Sequence, residues 1–173
     1  MDSELRWLRR RCEDRLHDLD LPSPFDVNVF CESLAARRSR PILLCPMPMG
    51  RDVSGLCVAG PTVDFIFYEE QTAPLHQAQI KLHEACHIVC GHRPIELSEA
   101  EVSCLLFPDL RQEIVQRVLQ RGSYSTVEER EAEILASLIL DRAAGLRFQE
   151  SKPLDEEAAH VLEKHRAALE RQG

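Results

Sequence analysis

Residues 73–92 read APLHQAQIKLHEACHIVCGH, and this stretch decides the fold. Its apolar residues recur at helical spacing, which predicts one amphipathic helix over 73–92. Thr72 stands where a capping residue is expected, Pro74 falls in the first turn, and Gly91 follows the last periodic residue. We therefore expect a long helix near the middle of the chain, around which the other elements pack.

The middle of this helix carries an H-E-x-x-H motif, formed by His83, Glu84 and His87. Side chains four residues apart lie on the same face of a helix, so both imidazoles can reach one Zn²⁺ ion. Glu84 lies beside that face, where its carboxylate can take a proton from an attacking water. The motif is typical of zinc hydrolases, which are usually peptidases. The alternative is a pair of half-buried histidines on an amphipathic helix.

A catalytic zinc ion takes three protein ligands, and we expect Glu131 to be the third. The stretch 127–146 predicts a helix in which Glu131 precedes the apolar residues Leu135 and Leu138 by one and two turns. A carboxylate that points at the core is costly unless it is paired or binds a metal ion. The alternative for Glu131 is an exposed acid at the start of a helix, where the helix dipole favours it.

Other residues near the motif are weaker candidates for the third ligand. Glu128 is the reserve, because it lies near the same helix face one turn earlier, whereas Glu129 and Glu133 are expected to face solvent. His92 and Gly91 are one residue out of register with the metzincin pattern H-E-x-x-H-x-x-G-x-x-H. We therefore interpret His92 as a residue that supports the ligands or ends the helix.

Composition bounds the class of protein. The chain has 173 residues, of which 44% are hydrophobic and 29% charged, and this predicts one globular domain. Its net charge of −8 argues against a nucleic-acid surface, and the short basic cluster of Arg37, Arg38 and Arg40 is interpreted as a solvated helix end. The sequence contains neither a signal-peptide pattern nor a run of 18 apolar residues, so we expect a cytoplasmic protein that binds neither nucleic acid nor membrane directly.

The chain has seven cysteines, an odd number, and they form no C-x-x-C pair. In a reducing compartment such cysteines are small buried thiols. Cys86 and Cys90 share the helical spacing of the two motif histidines. Four residues of one helix cannot surround a single tetrahedral ion, so we expect these two thiols to pack behind the imidazoles.

Short apolar runs and amphipathic stretches fill the rest of the chain, which predicts an α+β fold with several helices packed on a small sheet. A mostly antiparallel sheet of about three strands is predicted at 41–45, 53–59 and 62–68, with the last two joined as a hairpin. Helices are predicted at 3–19, 25–36, 73–92, 98–106, 109–121, 127–146 and 153–171. The single domain 1–173 then divides into N-terminal helices (1–40), a core (41–146) and a C-terminal helix (147–173).

Three segments of the core read SGLCVAGPTVDFIFY at 54–68, KLHEACHIVCGH at 81–92 and EREAEILASLIL at 129–140. They resemble the Gly-rich hairpin, the H-E-x-G-H helix and the later E-A-N-x-F-A-x-x-L helix of the ImmA/IrrE family of metallo-endopeptidases. The similarity covers about residues 41–146.

The resemblance implies a compact zinc peptidase with His83, His87 and Glu131 as metal ligands and Glu84 as the general base. It also implies a protein that cleaves or engages a helix-turn-helix repressor of a phage, mobile element or toxin–antitoxin locus. Cys86 stands where the family usually has glycine.

From these patterns we expect a zinc-dependent endopeptidase. Tyr124, in the loop before the predicted helix 127–146, is the candidate partner for the developing oxyanion, and the 62–68 strand is a candidate edge to which a substrate strand could be added. The alternative is a metal-stabilised interaction module that sequesters a transcriptional regulator without cutting it, for which the acidic charge suits a basic DNA-binding partner. The presence of Glu84 favours the enzyme, because a binding module does not need that carboxylate.

Overall fold

The computed structural model of the chain describes residues 3–49, 53–105, 107–121 and 124–150. Within these ranges it has an α+β architecture, which confirms the predicted fold class. The helices are α1 (Ser3–His17), α2 (Val27–Arg38), α3 (Pro74–Cys90), α4 (Glu99–Leu105), α5 (Pro108–Leu119) and α6 (Thr126–Glu150). The strands are β1 (Ile42–Met47), β2 (Gly55–Ala59), β3 (Asp64–Glu69) and β4 (Ile95–Glu96). The C-terminal helix predicted at 153–171 lies outside the described residues. In the part of the chain that is described, no helix is both long and apolar enough to cross a membrane.

The four strands form one mixed sheet in the order β1-β3-β2-β4. β2 and β3 are antiparallel neighbours, which confirms the hairpin predicted at 53–59 and 62–68. β1 runs parallel to β3, and β4 runs parallel to β2, so only the β2–β3 pair is antiparallel among the described strands. β3 has a neighbour on each side, so the prediction that the 62–68 strand is a free edge for substrate is wrong.

Helices cover both faces of the sheet. Alternate residues of a strand point to opposite faces, and in β2 Cys57 lies on one face while Leu56 and Val58 lie on the other. Cys57 belongs to the core shared with α1, α2, α3 and α6, whereas Leu56 and Val58 belong to the core beneath α4 and α5. α6 packs along α3, and α1 packs along α6. This packing brings the first turns of α6 next to the motif on α3.

Proline and glycine mark the two ends of the motif helix, and no side chain caps its N-terminus. Pro74 occupies the first turn of α3, where a backbone N–H is not needed. Gly91 ends the helix in the left-handed conformation, with a φ of 72°, which glycine adopts without strain. Thr72, expected to cap the helix, instead places its hydroxyl 2.9 Å from Nδ1 of His76.

A buried ion-pair cluster joins the end of α2 to the start of β3. The carboxylate of Asp64, only 2% exposed, accepts hydrogen bonds from Nη1 of Arg38 at 2.7 Å and from Nε of Arg40 at 2.8 Å. Arg40 also donates through Nη2 to the carbonyl of Gly60 at 2.6 Å. These two arginines are therefore not the solvated helix end that the sequence indicates, because they compensate a buried carboxylate.

Replacing Asp64 by alanine is expected to lower the free energy of unfolding, because Arg38 and Arg40 lose the carboxylate that they face. The loss should be about 2–3 kcal/mol, below the ~3–5 kcal/mol of a fully buried pair, because the arginine side chains stay 33% and 28% exposed. Urea unfolding measures this loss, with the exposed Asp141→Ala as the control. Equal stability of the two variants would contradict the assignment.

All seven cysteines are unpaired in the structure, and five of them are buried. We therefore expect seven free thiols per chain when the denatured, unreduced protein is titrated with a thiol reagent. Fewer than about five would contradict both the unpaired cysteines and a reducing compartment.

Candidate metal centre

Three donor atoms converge where the motif helix meets the start of α6. Nε2 of His83 and Nε2 of His87 lie 3.1 Å apart. Oε2 of Glu129 lies 3.1 Å from Nε2 of His83 and 3.6 Å from Nε2 of His87. His87 is 1% exposed, whereas the Glu129 side chain is 45% exposed, so the group is closed on its helix side and open toward solvent.

The group fits a tetrahedral metal ion. Ligand bonds of about 2.0–2.1 Å to zinc place neighbouring ligand atoms roughly 3.3–3.4 Å apart, close to the separations observed here. Burial, and then the neighbouring His83 and His92, lower the pKa of His87 to about 3, so this imidazole is neutral at neutral pH. Two neutral imidazoles and one carboxylate form the donor set of many catalytic zinc sites.

Glu131, expected to be the third ligand, lies elsewhere. It is 3% exposed, so it does point into the protein as the sequence predicts. Its carboxylate is held by the guanidinium groups of Arg15 and Arg11 and lies 3.1 Å from Nε2 of His92. The buried charge is therefore compensated by arginines of α1, and the histidine motif meets Glu129 instead.

Glu128 and Glu129, which precede Glu131 in the first turns of α6, contact different partners. Glu129 was expected to face solvent, yet it is the carboxylate that the structure brings to His83 and His87. Glu128, the reserve candidate, accepts a hydrogen bond from the backbone N–H of Ser125 at 2.8 Å and so caps the start of α6. No sequence signal separates Glu129 from its neighbours.

Cys90, His92 and Glu131 form a second group with metal-ligand chemistry, since their donor atoms lie within 4.8 Å of one another. Two features make it the poorer site for a cation. Arg15 and Arg11 already supply positive charge at Glu131. Burial, and then the charge of Glu131, raise the pKa of Cys90 to about 12, so a metal ion would have to displace the proton of this thiol before binding it.

Glu84 lies beside the first group in a nearly dry position. It is 7% exposed. Burial, and then the charge of Glu129, raise the pKa of Glu84 to about 8, while a hydrogen bond from the Cys57 backbone acts in the opposite direction. A cation held by the neighbouring donor atoms would oppose this rise. With a cation bound there, Glu84 would lose its proton more easily and could act as a proton-accepting carboxylate next to the three donor atoms.

Gly55 allows β2 to approach Glu84. A methyl group at Gly55 would lie 2.6 Å from Cγ2 of Ile80 and 2.7 Å from Oε1 of Glu84, which is closer than atoms pack. The absence of a side chain at Gly55 therefore sets the distance between the strand and the motif helix.

Replacing Gly55 by alanine is expected to destabilise the protein by about 1–3 kcal/mol, the usual cost of inserting a methyl group into a packed region. Thermal unfolding measures this change, and Gly145→Ala is the control because a methyl group there meets no atom of the described part of the chain within 4 Å. Unchanged stability of the Gly55 variant would show that β2 can move away from α3.

Tyr124 covers the back of the site. Its ring stacks on that of His87, with centroids 3.7 Å apart and an interplanar angle of 16°. Its hydroxyl is buried beside the thiol of Cys57. Burial, with the neighbouring Cys57 and Glu84, raises the pKa of this phenol well above its usual value, so it stays a proton donor. The structure thus brings Tyr124 to the motif, with its ring against His87.

A cleft of about 510 Å³ opens in front of these residues. Its walls include residues 53–57, Glu84, Tyr124 and Glu129. β4 pairs with β2 only at Val58 and Ala59, so no strand of the described residues lies beside the first part of β2 on the cleft side. The sequence predicted a free strand edge at 62–68. In the described part of the sheet, the edge that faces the cleft is instead the start of β2, which lies beside Glu84.

Comparison of the chain with protein-family models, with curated proteins and with solved structures finds no match. The resemblance to the ImmA/IrrE peptidases therefore stays a prediction from the three sequence segments. The convergence of His83, His87 and Glu129 is the observation that supports a metal centre.

Proposed function

We propose that this protein is a zinc-dependent endopeptidase. The observation that carries the proposal is the convergence of His83, His87 and Glu129, with the buried Glu84 beside them, next to an open cleft that His83, Glu84 and Glu129 line. Two imidazoles with one carboxylate favour zinc over calcium or magnesium, which prefer oxygen ligands only. A site that uses three protein ligands leaves a position for the reacting groups.

The side chains around this site suit peptide hydrolysis. A bound zinc ion would supply Lewis-acid activation of the scissile carbonyl and of the attacking water. Glu84 takes the proton of the water and delivers it to the leaving amine. The hydroxyl of Tyr124, which lies beside the Cys57 thiol, would turn to donate a hydrogen bond to the carbonyl oxygen as negative charge develops there.

The start of β2 is the proposed binding edge for the substrate backbone. Gly55 and Cys57 alternate with Ser54 and Leu56 along the strand, and the carbonyl of Ser54 is bonded to β3. The backbone groups of Gly55 and Cys57 therefore point away from β3, toward the cleft. The Cys57 N–H donates to Glu84, so the proposed edge offers a peptide the backbone groups of Gly55 and the carbonyl of Cys57. An extended peptide that lies along this edge would pass Glu84.

Hydrolysis of a mixture of unstructured peptides tests the proposal. Mass spectrometry should find new termini that appear with the zinc-loaded protein and disappear when a chelator removes the metal. A protein that contains about one zinc ion per chain and cuts no peptide would contradict the endopeptidase and leave the metal site intact.

We further propose that the protein acts on a helix-turn-helix repressor. The support is the resemblance of residues 54–68, 81–92 and 129–140 to the ImmA/IrrE family, together with the net charge of −8, which would attract a basic DNA-binding domain. Co-expression with such a repressor, followed by analysis of its fragments, is the test. An intact repressor in the presence of active peptidase would reject this class of substrate.

The same negative charge supports a second candidate function, a module that binds the repressor and blocks its DNA contact without cutting it. The two functions differ in their dependence on Glu84. Relief of repression that survives loss of the Glu84 carboxylate favours the binding module.

A further inference from the structure

A line of contacts runs from the back of the metal centre to α1. Nδ1 of His87 lies 2.9 Å from Nδ1 of His92. Nε2 of His92 lies 3.1 Å from Oε2 of Glu131. The other carboxylate oxygen of Glu131 contacts Arg15 and lies 3.2 Å from Nη2 of Arg11.

These groups are shielded from water, so they must satisfy one another. The side chains of His87, His92 and Glu131 are 1%, 6% and 4% exposed. Buried polar atoms in proteins almost always have hydrogen-bond partners, since leaving one unpaired costs about 1–3 kcal/mol. Each contact in the line should therefore join a donor to an acceptor.

Only one arrangement of protons satisfies every contact with neutral imidazoles. The Glu131 carboxylate is an acceptor, so Nε2 of His92 carries a proton and donates it. Nδ1 of His92 is then an acceptor, and Nδ1 of His87 must carry the proton between the two rings. Nε2 of His87 is left with a free lone pair, and this atom faces His83 and Glu129.

We propose that His92, oriented by Glu131, is a positioning residue that holds His87 in the tautomer whose Nε2 lone pair faces the metal. The inference deepens the proposed function, because it assigns a supporting role at the same site. Arg15 anchors the other end of the line, since it also donates through Nη2 to the carbonyl of Cys90 at 3.0 Å, at the end of α3. Partners of this kind fix ring orientation in metal sites, and their loss typically costs about 10–100-fold in metal affinity.

The first test is made on the zinc-free parent protein. Long-range ¹H–¹⁵N correlation spectra of the labelled full chain show which ring nitrogen of His87 carries the proton. We expect protonation at Nδ1 in the absence of metal. Protonation of His87 at Nε2 would overturn the proposal.

The second test compares zinc affinity among full-length variants by competition with a chelating dye. His92→Leu removes both contacts, and we expect about 10–100-fold weaker binding. His92→Asn keeps an acceptor oxygen near the position of Nδ1, so its affinity should recover toward that of the parent. His17→Leu, at an exposed histidine of α1, is the matched control and should bind zinc like the parent.

Two outcomes of the affinity test overturn the role of His92. Parent-like affinity of His92→Leu shows that His87 needs no partner. Equal weakening in His92→Asn and His92→Leu shows that His92 acts by packing and not as an acceptor. A parent protein that binds no zinc, yet has His87 protonated at Nδ1, refutes the proposed zinc peptidase and leaves the proton arrangement standing.

Discussion

Replacing Glu84 by glutamine is expected to lower peptide hydrolysis by about 10²–10⁴-fold, the usual effect of removing a general base. The change preserves the size of the side chain and its place beside Gly55, but glutamine cannot accept the proton of the attacking water. Zinc content should equal that of the parent, because the donor atoms of His83, His87 and Glu129 are untouched. Peptide cleavage followed by mass spectrometry, with elemental analysis of the same samples, measures both quantities.

The control for this variant is Glu133→Gln, an identical chemical change at an exposed position of α6. It should retain both zinc and activity. If Glu84→Gln still cleaves peptides like the parent, another group supplies the base and the proposed mechanism is rejected. If Glu84→Gln relieves repression in cells as well as the parent does, proteolysis is not the mechanism, and the non-cleaving binding module becomes the favoured function.

Replacing Glu129 by glutamine is expected to weaken zinc binding by more than about 100-fold, because the loss of a ligand exceeds the typical 10–100-fold effect of losing a supporting residue. An amide is a poor substitute for a carboxylate as a zinc ligand, since it carries no charge. Peptide hydrolysis should fall together with zinc occupancy. Competition with a chelating dye gives the affinity of each variant.

Glu131→Gln decides between the ligand that the sequence predicts and the one that the structure brings to the histidines. We expect this variant to keep one zinc ion per chain, because Glu131 contacts His92 and the arginines of α1, and the amide oxygen of glutamine can still accept the proton of His92 Nε2. Loss of zinc from Glu131→Gln, with zinc retained in Glu129→Gln, would restore Glu131 as the third ligand.

Local sequence signals predicted the parts of the site that lie on one helix. His83, Glu84 and His87 are linked by the helical repeat alone, so their shared face follows from spacing that tertiary packing does not alter. Pro74 and Gly91 mark the ends of α3 for equally local reasons. Alternating side chains and the turn residues between the two strands also predicted the antiparallel β2–β3 hairpin.

Local sequence patterns did not predict the contacts between segments that are distant in sequence. β4 is only two residues long and pairs with a strand about 37 positions earlier, as Val58 pairs with Ile95, so no local pattern announces it. Arg38 and Arg40 look like ordinary charges at a helix end, and only the path of the chain brings them to the buried Asp64.

Local patterns of residues were enough to predict the α+β class, the motif helix and the pair of histidines with a neighbouring carboxylate, because these features follow from short-range spacing along the chain. Tertiary structure alone decided which acid completes the group. Glu128, Glu129 and Glu131 occupy one stretch at the start of α6, and the rotation of that helix between α1 and α3 selects among them. That rotation turns Glu131 toward Arg15 and His92 and Glu129 toward His83, and it depends on side-chain packing among three helices that are far apart in sequence.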